Sequence, residues 1–266
     1  MFLKLITFLL LYFGVDVLTI SFAEGHSSAL VSPSLSLENR KKKIESGSLE
    51  AIAIKDNWNL EQLDTAREID YLTNMEKDII LALNMVRTDP GRYAELYIRP
   101  IASSFFGNRR RINGRNLITD EGCVPVEELY IFLIHHVPVP ALVTDKRLHS
   151  SADELALDQS LTGNTGHISS KGRGFAVRIR SYAQWKKGVS ETVGYGGKTG
   201  FDIVNNMLID DGVSDRGHRL IMMDPVFHFV GSSVRPHGTY GFTAVIDYAS
   251  SLEDPIKNPR NRATRY

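Results

Sequence analysis

The chain has 266 residues, with 31 basic and 31 acidic side chains and a formal net charge of zero. That balance removes long-range steering toward nucleic acid or acidic lipid. The single cysteine, Cys123, excludes an intramolecular disulfide, so the fold must rest on its hydrophobic core.

Lys4 precedes an apolar run from Leu5 to Val15, and Ser21 and Ala23 supply the small residues of a cleavage site. Residues 1–23 therefore read as a secretory signal peptide. A membrane anchor is the alternative, but Asp16 cuts the run short of a comfortable span. The expected location is secreted or periplasmic, with no membrane span after cleavage. Residues 24–70 read as a spacer and N-terminal extension. The stretch from Glu24 to about Ser48 is Ser-rich, carries the run Arg40-Lys41-Lys42-Lys43, and has the composition of a disordered spacer. Leu49, Ile52, Ile54, Trp58, Leu60 and Leu63 predict a short helix packed on the domain that follows.

That domain is expected over 71–250. Thr73 and Glu76 form a capping-box pattern, and Met75, Ile79, Ala82, Leu83 and Val86 share a helical face ended by Asp89-Pro90-Gly91. Residues 100–124 read as an irregular, basic, solvated loop with a turn at Asn113-Gly114; an anion site for phosphate or glycan is the alternative. A helix is predicted over Val126–His136. His135 and His136 are adjacent and point apart on it, so they do not share a metal. Asp145 caps the next helix, whose stripe is Leu148, Ala152, Leu155 and Gln159 and whose end is Gly163. A Gly-rich loop over 163–200 carries His167 and Glu191. Phe201–Ile209 reads as a helix and His218–Met223 as a short one stopped by Asp224-Pro225. Phe229–Val234 and Tyr240–Tyr248 alternate around Pro236-His237-Gly238, a β-hairpin at the centre of a sheet. Residues 251–266 form a polar tail. The expected class is α+β: a three-layer α-β-α sandwich around a central, mostly antiparallel sheet.

The densest polar segment runs from Leu208 to Arg219 and holds Asp210, Asp211, Asp215, Arg216, His218 and Arg219 around two glycines. His167 and Glu191 are its expected partners. There is no Gly-x-Ser-x-Gly elbow, no His-Glu-x-x-His and no phosphate-cradling loop.

Taken in order, several motifs resemble the CAP superfamily, also called the SCP domain, in its disulfide-free bacterial form. They are Asn84-Met-Val-Arg87, Asp145 to Ala152, Gly166-His167, Ser190-Glu191-Thr192-Val193, Gly217-His218-Arg219 and the closing hairpin. The resemblance implies an α-β-α sandwich with a cleft lined by His167, Glu191, His218 and either Asp210 or Asp211. Thr192 replaces the family's usual Asn, and no Trp stands near Met207 or Leu208. Two imidazoles and a carboxylate form the donor set of an open zinc site, which makes His167 and His218 the expected ligands of a divalent metal such as zinc. The same groups also suit acid–base work or a buried polar network. The family implies an exported binding or interaction module, its partner a lipid, sterol, glycan, envelope component or protein, and not nucleic acid. The alternative is a metal-dependent hydrolase acting on peptide or cell-envelope material.

Overall fold

In the computed structural model, residues 47–112 and 115–254 are described. The expected signal peptide, most of the expected spacer, the expected Asn113-Gly114 turn and the residues from 255 lie outside the described residues. The first helices, α1 (Leu49–Lys55) and α2 (Leu60–Leu63), bury Leu49, Ala53, Trp58, Leu60 and Leu63 in the principal core. They pack beside α3 (Asn74–Thr88). Asn84 of α3 ties the segment down: its side chain donates to the carbonyl of Leu63 at 2.8 Å and accepts from the Leu142 N–H at 2.7 Å.

The capping box forms as the sequence predicts. Thr73 Oγ1 accepts from Glu76 N at 3.3 Å, and Glu76 Oε2 accepts from Thr73 N at 2.7 Å. The second oxygen of Glu76 accepts from Val234 N at 2.9 Å, so the cap also docks α3 on the sheet. Arg87 is fully buried and donates to the carbonyls of Pro140, Met222, Asp224 and Phe227. Burial lowers its pKa to about 10. Asn84 and Arg87 therefore act as clamps on loop carbonyls that would otherwise be buried without partners.

After α4 (Pro90–Tyr93), a π-helical stretch (Ala94–Ile98) and α5 (Arg99–Ala102), the chain departs from expectation. Residues 100–124 are not an irregular loop. Strands β1 (Phe105–Phe106), β2 (Arg109–Ile112) and β3 (Arg115–Ile118) form a small antiparallel sheet, with Arg110 opposite Leu117 and Arg109 opposite Ile118. A charged side chain and an apolar one share each face, which hides the period-two pattern that a strand normally shows. Helix α6 (Val124–His135) follows, and His135 and His136 bond to nearby backbone carbonyls at its end.

The central sheet has the order β4-β6-β7-β5: β4 (Val143–Thr144), β5 (Val189–Tyr195), β6 (Phe229–His237) and β7 (Gly241–Ala249). Only the β4–β6 pair is parallel. The hairpin is longer than its sequence pattern: Pro236 and His237 stay in register with Phe242 and Gly241, and the chain reverses over 238–240. Helices α7 (Lys146–Thr162) and α8 (Phe175–Tyr182) cover one face; α3, α9 (Gly200–Ile209) and α10 (Gly217–Met223) cover the other. Alternation along β7 divides the core accordingly. Ala244, Ile246 and Tyr248 join the α3/α9 side, while Val245 and Ala249 meet α7 and α8. The fold is thus α+β, with the expected three layers. Gly231 lets α7 cross β6 closely, since a Cβ there would lie 2.0 Å from His149 N. Helix α8 and strand β5 occupy what reads as loop in the sequence. In α8 the apolar stripe of Phe175, Ile179 and Tyr182 is broken by Arg178, which is itself buried.

Candidate functional site

Helix α9 ends at Ile209, and Asp210 caps it in the left-handed conformation, φ 60°. Gly or Asn is usual there. Here the buried carboxylate gains two bonds instead: Asp210 Oδ2 accepts from His218 N at 3.0 Å, and Oδ1 pairs with His218 Nδ1 at 2.6 Å. Asp211 turns away, and its two oxygens accept from the N–H groups of Asp120 and Glu121, each at 2.9 Å. Of the two acids, Asp210 faces His218, while Asp211 fastens the segment to the chain just beyond β3. The arginines anchor. Arg216 donates to Glu121, Glu128 and the carbonyls of Asp210 and Val213. Arg219 donates to the carbonyls of Leu208, Ile209 and Pro125. Arg216 and the Gly212 N–H pull the Glu121 carboxyl down to about 2.

His167 belongs to a second pair, on the α7/α8 side of β5. Gln159 of α7 donates to Gly166 O at 2.6 Å and Gly166 N donates to Tyr195 Oη at 2.7 Å, which places the next ring. His167 Nδ1 then meets Glu191 Oε1 at 2.9 Å. Glu191 is buried, whereas the His167 side chain is 47 % exposed. Arg178, fully buried, donates to the other Glu191 oxygen and to the carbonyls of His167 and Arg173. Across the sheet, Glu191 is in register with Asp247 of β7. Asp247 is fully buried and its oxygens meet no hydrogen-bond geometry; Ser151 and Glu191 are the polar groups facing it. Burial first, and then the Glu191 charge, push the Asp247 carboxyl well above the usual range. A carboxyl group buried beside another acid in an apolar layer favours its neutral form, and here that group is Asp247.

Arg178 and Asp247 are absent from the residues expected from sequence. Asp247 carried a usable signal, an acid inside the apolar run Ala244 to Tyr248. Arg178 carried none, because an arginine on a short helix reads as its solvent face.

The two histidine–carboxylate pairs remain separate. Among the described residues, no hydrogen bond or ion pair joins them, and no three His, Cys, Asp or Glu side chains gather as a metal-binding group. Each ring commits Nδ1 to its own acid and keeps Nε2 uncommitted among the described residues.

His218 and Asp210 instead border a groove of about 680 Å³. One wall is β5 and α9, with Gly194, Ile203 and Met207; the other is the small sheet, with Phe105, Arg110 and Leu117. The lining mixes these apolar groups with polar ones, among them Asn206, Asp210, Asp211, His218 and Arg110. His167 does not line it.

No family model matches this sequence, and no curated protein matches it. Among the described residues, no helix is long and apolar enough to cross a membrane. Two solved structures are similar to parts of the chain. An outer surface protein from Borrelia burgdorferi is 17 % identical, with a TM-score of 0.36, over 42 % of this chain and 78 % of that one. An extracellular protein containing an SCP domain, from Bacillus anthracis, is 15 % identical, with a TM-score of 0.34, over 47 % of this chain and 38 % of that one.

Proposed function

We propose that this chain is an exported, SCP-like binding module that holds an amphipathic envelope component, a lipid or sterol, in the groove between β5, α9 and the small sheet. The single supporting observation is the groove itself. Its volume of about 680 Å³ suits one small ligand, and its lining combines apolar side chains with the Asp210–His218 pair. An apolar body would lie along Ile203, Met207 and Leu117, and a polar head would meet Asp210 and His218. In this reading residues 1–23 are removed on export, residues 24–70 are a spacer and N-terminal extension, and the 71–250 domain carries the site. His218 with Asp210 is the ligand-facing pair, and His167 with Glu191 orders the opposite layer.

The test is displacement of a fluorescent fatty-acid or sterol probe by a panel of lipids. Leu117→Glu puts a charge on the apolar wall and should weaken displacement at least tenfold, since fully burying a leucine is worth about 1.5–3 kcal/mol. Absence of saturable probe binding by the wild-type protein sinks the reading.

One observation favours a hydrolase as the second reading: a half-exposed imidazole oriented by a buried carboxylate is the base half of a nucleophilic site. His167→Ala and His218→Ala decide it. Loss of a measurable peptide- or envelope-cleaving activity in either variant would replace binding with catalysis.

A further inference from the structure

The outer face of the small sheet has no role in the groove. Register puts Phe106, Arg109 and Ile118 side by side on it, with Arg111 on the same side of β2 two residues along. The opposite face, Phe105, Arg110 and Leu117, is the groove wall. Phe106 is 87 % exposed and Ile118 is 72 % exposed, although Ile118 also reaches the groove margin. An isolated exposed apolar residue needs no explanation, but an exposed aromatic beside an aliphatic and two free guanidinium groups does. Arg109 and Arg111 are exposed and make no side-chain hydrogen bond or ion pair among the described residues. No acid occurs between Phe105 and Ile118. Of the two acids just beyond β3, Glu121 pairs with Arg216, and Asp120 is exposed two residues past Ile118. The three strands pair chiefly with one another rather than with the central sheet.

We propose that this face docks on an anionic lipid bilayer, with Arg109 and Arg111 on headgroup phosphates and Phe106 and Ile118 inserted at the headgroup–acyl boundary. Charge complementarity selects this occupant. Guanidinium forks match phosphate oxygens, and apolar side chains interleaved with cations are the pattern of interfacial anchors. The zero net charge of the chain does not oppose it. Attraction to a charged surface acts within a Debye length, so only the local charge counts. The groove wall lies on the reverse of the docking face, which sets the groove beside the membrane. Docking stands whether or not the groove holds a lipid.

The experiment is flotation of the full chain with phosphatidylcholine vesicles and with vesicles that also contain phosphatidylglycerol. Retention that depends on phosphatidylglycerol and falls with added salt is expected. R109S/R111S should weaken it roughly thirtyfold, since each arginine at an anionic surface contributes about 1 kcal/mol and about 1.4 kcal/mol is tenfold. F106S should weaken it about tenfold. R109K/R111K keeps the charges and should stay within a few-fold of wild type. K55S/K171S removes the same charge elsewhere and should leave retention unchanged. Phosphatidylglycerol-independent retention overturns the proposal. So does an equal loss in K55S/K171S, which would make net charge the cause. Binding to heparin without binding to vesicles would assign the face to a soluble polyanion instead.

Discussion

Arg178 holds two things at once: it neutralises buried Glu191 and, through the carbonyls of His167 and Arg173, fixes the loop that carries the imidazole. Asp247 stands opposite Glu191 in the β5–β7 register and forms no salt bridge among the described residues. Its raised pKa has a definite sign in stability. Below about pH 4 both the folded and the unfolded chain hold this proton, and the contribution to stability is full. As pH rises above that, the unfolded chain releases the proton while the folded chain retains it. Stability therefore falls until the raised folded value is reached, by about 1.4 kcal/mol per pH unit at most. Asp247→Asn should remove this fall and raise the melting temperature at neutral pH, as thermal melts from pH 4 to pH 8 would show. Parallel wild-type and variant profiles would disprove a raised Asp247. The pairing of these groups was not readable beforehand, although Asp247 stood out as an acid inside an apolar run. Glu191 was a candidate from its setting in the sequence, but its partners come from a helix and a strand distant along the chain.

At the scale of elements, the sequence was informative wherever a local rule operated. Thr73 and Glu76 announced α3, Asp145 and Gly163 bounded α7, and alternation announced the hairpin. Thr73→Ala should lower stability by about 1 kcal/mol, read from urea unfolding, because one N-terminal donor of α3 loses its acceptor. No change would mean that Glu76 and Val234 alone fix that end. Elements were missed where a charged residue sat at a buried or shared-face position. Arg178 concealed α8, Glu191 concealed β5, and the arginines of 109–111 concealed β2. Burial of a charge depends on a partner from elsewhere in the fold, so no window of local sequence reveals it.

At the scale of the whole molecule, the residues before 71 are part of the core. Leu49, Trp58, Leu60 and Leu63 are buried in the same cluster as α3 and α9. Each is worth about 1.5–3 kcal/mol, and together they approach the roughly 5–15 kcal/mol by which a domain is stable. A chain beginning at residue 71 should lose cooperative melting by circular dichroism, while one beginning at residue 47 should keep it. Equal melting temperatures would refute this. The sequence by itself determined the α+β class and the elements that carry a cap or a clear period, because caps, periodicity and composition act locally; it named His167, Glu191 and His218 as candidates and left Asp210 and Asp211 open. Only the tertiary structure decided that Asp210 rather than Asp211 faces His218, that the two pairs stay apart, and that the basic stretch is a sheet forming one wall of a groove. Those outcomes depend on which distant groups satisfy each buried charge, and the folded chain alone brings them together.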